Sequence, residues 1–180
     1  MRAMMDQKLP PYYRATVPVF LAVLDRLEGT LRRAEEWLGP VYEEALTRRP
    51  HPEMMPVSRQ VATAVQFTLR VAFPLVGKRA PELRESMDGP GLLARIEGAR
   101  GLLRGLDPED FTHSGRRVVR AQAGIAHLEL PAEQFLNEFG LPNLYFHHAM
   151  AHVALKQAGV SLGKADFDGL HEYPPGFSFG

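Results

Sequence analysis

Cysteine is absent from the 180-residue chain, which removes disulfides, thiolate metal sites and cysteine nucleophiles together. Net charge is also missing, because 21 basic residues balance 21 acidic ones. No overall field is therefore available to hold a polyanion by counterion release, and nucleic acid is not an expected partner. The densest basic run, Arg116, Arg117 and Arg120, has one nearby aromatic, Phe111, and reads as a solvated turn and strand edge. Long apolar runs are lacking too. The stretches at residues 17–24 and 71–76 are far too short to span a bilayer, and MRAMMDQKLPPYY has no continuous apolar core of the signal-peptide kind. The expectation is a cytoplasmic chain with no membrane partner. No G-x-S-x-G elbow surrounds Ser58, Ser86, Ser114 or Ser161. The glycines of GARGLLRG fall inside a helical pattern, where they favour close helix packing over phosphate binding.

What is present is a helical pattern of ordinary globular composition, with 45% hydrophobic and 23% charged residues. The length suits one domain over residues 1–180, with its core at about 12–169 and flexible termini. Val17, Phe20, Leu24, Leu27, Leu31, Ala34 and Leu38 recur at spacings of three and four, which predicts a first long helix. Thr16 is its expected N-cap and Gly39-Pro40 its stop, with Asp25, Arg26, Glu28, Arg32 and Arg33 on the solvent side. A short helical piece at 41–46 and the Pro-punctuated RRPHPEMMP connection lead to a second long helix at 57–76, kinked or ended by Pro74. A polar loop at 78–91 precedes a third helix marked by Leu92, Ile96, Ala99, Leu103 and Leu106. VVRAQ and IAHLEL around Ala123-Gly124 predict a small β-hairpin. A helical turn or two at 131–139 and a fourth helix at 142–158, stopped by Gly159, complete a mainly all-α four-helix bundle. The Gly-, Pro- and aromatic-rich tail is expected to pack back as a loop, with the last ten residues disordered.

The most chemically loaded stretch is LPNLYFHHAMAH, residues 141–152. At about 100° per residue, His148 and His152 share a helical face, while His147 points about 100° and 140° away from them. Only His148 and His152, at i and i+4, can hold one ion together, the spacing of zinc-binding helices. A third ligand must come from elsewhere, and the second helix has no histidine, aspartate or glutamate; His51, Glu53 and His127 are the remaining candidates. A separate polar cluster is expected between the second and fourth helices. In it Arg59, Gln60, Asn143, Tyr145 and His147 either fix helix register or bind a small, anionic molecule. The fourth helix is apolar nearly all round, so it is central or covered by a second copy in a homodimer.

Taken in order, TVPVF (16–20), MMPVSRQV (54–61), LPNLYFH (141–147) and VSLGKADFDG (160–169) resemble a DUF1993-type domain of unknown function, in the DinB/YfiT-like four-helix superfamily. The resemblance implies an up-down-down-up bundle, often a homodimer. In DinB-like relatives, it further implies a divalent metal (Zn, Ni or Mn) held by a second-helix histidine and an H-x-x-x-H pair, as in a thiol transferase or hydrolase. His148 and His152 match half of that pattern. Arg59, Gln60 and Gln66 stand where the histidine is expected, and the nearer family typically has an aromatic at the His152 position.

Overall fold

The computed structural model describes residues 9–174, 176 and 177. Helix α1 spans Pro11–Leu38, and a 3₁₀ turn at Gly39–Val41 joins it to the short α2, Tyr42–Ala45. Helix α3 spans Val57–Leu75 and α4 spans Gly89–Arg104. Two 3₁₀ turns lead to the antiparallel strands β1, Val118–Ala123, and β2, Ala126–Pro131. The chain then continues through α5, Ala132–Gln134, a π-type turn at Phe135–Gly140, α6 at Leu141–Gln157, and α7 at Lys164–Asp168. Helices α1, α3, α4 and α6 are the four long members of the bundle expected from the sequence. No helix among the described residues is long and apolar enough to cross a membrane.

Apolar periodicity builds the core. Phe20, Leu24, Leu27 and Leu31 of α1 meet Val57, Val61, Ala64, Val65 and Leu69 of α3, Leu92, Ile96 and Leu103 of α4, and Leu144, Ala151 and Leu155 of α6. Removing this apolar surface from water is the main favourable term in folding. α6 packs chiefly on α3. Their approach is close: a methyl added to Gly140 would lie 2.7 Å from Val71 Cγ2. At the far end of α3, Ser114 Oγ donates to the Leu75 carbonyl at 2.6 Å, satisfying one of the carbonyls a helix end leaves free.

Four sequence expectations need correction. α1 begins at Pro11, five residues before Thr16, whose hydroxyl bonds back to the Tyr12 carbonyl at 2.6 Å and so sits inside a helix instead of capping it. α4 begins at Gly89, three residues before its first leucine, Leu92, because Asp88 Oδ1 accepts from the Gly91 N–H at 2.8 Å and caps it there. Arg26 is half-buried and covered by the chain around Gly169, not on the solvent face. The tail contains a helix, α7, pinned where Arg33 pairs with Asp166 Oδ1 at 2.9 Å and where the Gly163 N–H donates to Asp166 Oδ2 at 2.7 Å. Of the last ten residues, 175 and 178–180 lie outside the described residues, so the expectation of disorder there is not addressed; Tyr173 and Phe177 stack on each other at 4.6 Å. The basic run is solvated as expected, with Arg120 pairing across the hairpin to Glu129 at 2.7 Å.

Candidate functional site

The step of about 100° between His147 and His148 sends the two rings to different faces of α6. His147 faces α3, where its Nδ1 lies 2.7 Å from Gln60 Oε1. An amide oxygen only accepts, so Nδ1 is the protonated nitrogen. Gln60 Nε2 in turn donates to the Met55 carbonyl at 3.2 Å, which fixes the orientation of the amide. The imidazole stacks on Phe67 at 5.8 Å and meets the edge of Phe146 at 5.2 Å. Burial, and secondarily the charge of Arg70, hold its pKa below the ordinary histidine value. Gln60 thus engages both ends of its amide, the oxygen with His147 and the nitrogen with the Met55 carbonyl.

The other members of the expected polar cluster lie apart from this pair. Asn143 donates to the Phe139 carbonyl at 2.7 Å, joining α6 to the π-type turn before it. Tyr145 is exposed and lines a pocket with Arg14, Arg26 and Leu170. Arg59 is exposed and faces the groove between α3 and the 78–88 loop. Structure thus brings Gln60 and His147 together and sends Arg59, Asn143 and Tyr145 to three other places.

His148 and His152 face α1 and α7. His148 is 1% exposed, and neither ring nitrogen has a hydrogen-bond partner; His152 Nδ1 is likewise buried and unpartnered. Across the seam, α1 contributes Arg26 and Thr30, again spaced i, i+4, and Arg26 Nε and Thr30 Oγ1 are also buried without partners. Phe167 of α7 closes the seam. Its ring stacks on His148 at 4.4 Å and approaches His152 edge-on at 6.1 Å. Two pockets of about 670 and 470 Å³ open on either side of Phe167, one reaching His152 and the other Arg26. The backbone after α7 leans on Arg26: a methyl on Gly169, at φ +68°, would lie 2.3 Å from Arg26 Nη2.

Electrostatics make this seam a place for neutral imidazoles. Burial first, then the neighbouring His152 and the Arg26 charge, push the His148 pKa down to about 4. Burial and Lys156 also lower that of His152, against the opposing pull of Asp166. Each neutral ring offers one N–H and one lone pair. A divalent metal would use such lone pairs, but a protein zinc site needs at least three protein ligands. No third histidine, cysteine, aspartate or glutamate joins the two among the described residues. His51 and His127 are exposed on other elements, and Glu53 lies beside His51. With the guanidinium of Arg26 close by as well, this donor set does not fit a resident divalent metal.

Sequence reasoning missed Arg26, Thr30 and Phe167. Their signals were weak but present: an i, i+4 polar pair beside the apolar stripe of α1, and one aromatic between two acids in ADFDG.

No curated protein matches the chain. Among solved structures, it is similar to a DinB family member from Shewanella denitrificans, with a TM-score of 0.77 and 25% identity over 91% of this chain and 94% of that one. The family model described as domain of unknown function, DUF1993, matches residues 12–168. That match spans all four long helices, the hairpin and α7, and with the DinB-like bundle it makes the chain a member of the DUF1993 family.

Proposed function

We propose that this protein binds a small molecule in the α1–α6 seam beneath α7, and that its role is recognition without catalysis. The supporting observation is a concentration of unpaired polar atoms. Six buried side-chain atoms lack partners among the described residues, and five of them belong to Arg26, Thr30, His148 and His152. Each such group costs about 1–3 kcal/mol of lost hydration, and native folds keep buried polar groups paired. Five orphans in one seam therefore support an occupant that supplies both donors and acceptors, with an acceptor toward Arg26. Phe167 is its cover. The Gln60–His147 pair is assigned a bracing role, holding the register of α6 on α3.

A thermal-shift screen of small polar metabolites against the wild type and His148→Leu tests this reading. A compound that raises the wild-type melting temperature, and does so much less in the variant, supports it. A screen in which every stabilising compound acts equally on both counts against it.

A divalent-metal enzyme is the second reading, favoured only by the free nitrogens of the i, i+4 pair. Elemental analysis of protein purified without an affinity tag tests it. Below roughly a tenth of an equivalent of zinc, nickel or manganese, it is discarded, since a true site binds tightly. We further propose a homodimer in the cytoplasm. Phe146 and Val153, seven residues apart on α6, remain 50% and 38% exposed and form an apolar strip that a second copy would cover. A monomeric mass by light scattering at micromolar concentration would contradict the dimer.

A further inference from the structure

Two arginines among the described residues are almost fully buried, and they are treated in opposite ways. Arg100, 9% exposed, is surrounded by carboxylates: Asp25 at 2.9 Å, Glu28 at 2.8 Å and Glu97 at 2.5 Å. Arg95, 6% exposed, makes no ion pair among the described residues. Its guanidinium is met by the backbone carbonyls of Leu83 at 2.8 Å, Ser86 at 3.4 Å and Glu85. Those carbonyls take one N–H from each of its three nitrogens without supplying a full negative charge, and the carboxylate of Glu85 on the same loop keeps a buried, unpartnered Oε2.

The same wall carries two more cations. Arg70 is half-buried over the Phe67 ring, 4.5 Å from the centroid, and gives one N–H to the Gln122 carbonyl at 2.9 Å. Desolvation lowers its pKa. Arg59, three turns earlier on α3, makes no ion pair or hydrogen bond among the described residues. Among the described residues Glu82 is the one carboxylate lining this space, and it leans toward Arg84 at 3.6 Å. Three positive charges thus line, against the one carboxylate of Glu82, a pocket of about 500 Å³.

The pocket is held in shape by its own scaffold. Gln66 of α3 donates to the Pro81 carbonyl at 2.7 Å and accepts from the Leu83 N–H at 3.2 Å, fastening the 78–88 loop to α3. Arg95 fastens the same loop to α4. Between the charges lie Met55, Ala62, Leu83 and Met87.

A desolvated cation without a counterion is costly, and arginine's planar fork matches carboxylate and phosphate oxygens. We infer that the pocket between α3, α4 and the 78–88 loop binds a small amphiphilic anion, a carboxylate or phosphate on an apolar body. The anionic group faces Arg59, in a positive field to which Arg70 and Arg95 add, and the apolar body rests on Met55, Leu83 and Met87. This site is independent of the histidine seam.

Isothermal titration of the full chain with octanoate, octyl phosphate and octanol tests the inference, repeated on Arg59→Glu and on Arg104→Glu as a charge control outside the pocket. Arg59 carries no structural contact, so its variant should fold, and circular dichroism checks this. The expected result is that at least one anion binds about tenfold or more tightly than octanol. Arg59→Glu should weaken that anion by a similar factor, while Arg104→Glu leaves it nearly unchanged. Preference between the two anions then assigns the head group. Equal binding of octanol, equal loss in both variants, or no heat from any probe at millimolar concentration overturns the inference.

Discussion

Lowering the pH should act on this protein through His148, and the size of the effect follows from its burial. An unfolded chain protonates this histidine near its ordinary value of 6.5, whereas the native seam holds it neutral down to about 4. Between those values the unfolded state binds the proton and the native state does not. Stability therefore falls as pH drops from 6.5 toward 4, and the His148 contribution is fully present only above that window. At 1.36 kcal/mol per pKa unit, the loss is about 3 kcal/mol, a large share of the roughly 5–15 kcal/mol that keeps a domain folded. Replacing His148 with leucine removes the titrating group while filling a similar volume. It also removes two unpartnered nitrogens, so the variant should be no less stable than the wild type at pH 7. Urea unfolding at half-unit steps from pH 7.5 to 4 should give a shallower stability profile for the variant, with the difference near 3 kcal/mol at the acid end. Carboxylates, His147 and His152 titrate in both proteins and cancel to first order. Parallel profiles, or an NMR titration placing the His148 pKa at or above 6.5, would refute the reasoning.

Other perturbations probe the rest of the account. Gln60→Leu should cost about 2 kcal/mol or more in urea, because it leaves the buried His147 Nδ1–H and the Met55 carbonyl unpaired. Gly140→Ala should cost about 1–3 kcal/mol by overpacking, since its methyl would meet Val71 at 2.7 Å where α6 begins. Arg100→Met should destabilise by about 2 kcal/mol at low salt, through three carboxylates left facing each other. Because two of those carboxylates are well exposed, melting in high salt should recover part of the loss. Gly169→Ala should strain a backbone at φ +68° and push Arg26 aside, loosening α7; faster amide exchange at residues 164–168 would show it.

The four long helices were legible because their apolar residues repeat with the helical period over many turns, as Phe20, Leu24, Leu27 and Leu31 do. Divergence of His147 from His148 was legible for the same geometric reason. α7 was not, because five residues between glycines carry no period of their own and owe their helix to the Arg33–Asp166 pair and to Phe167 lying on His148. Arg26 looked solvent-facing since a helical wheel cannot tell which flank a distant segment will cover. Arg59 and Gln60 looked like one group because they adjoin in sequence. On a helix, adjacent residues are about 100° apart, and these two serve different faces of α3.

The measurement that bears most directly on the α1–α6 seam is a crystal structure of protein purified from cells without refolding, at a resolution that separates ordered water from bound molecules. The account predicts a non-water molecule beneath Phe167, within hydrogen-bond reach of at least two of Arg26, Thr30, His148 and His152. A seam that is empty, or filled by waters alone that satisfy every one of those atoms, would contradict it.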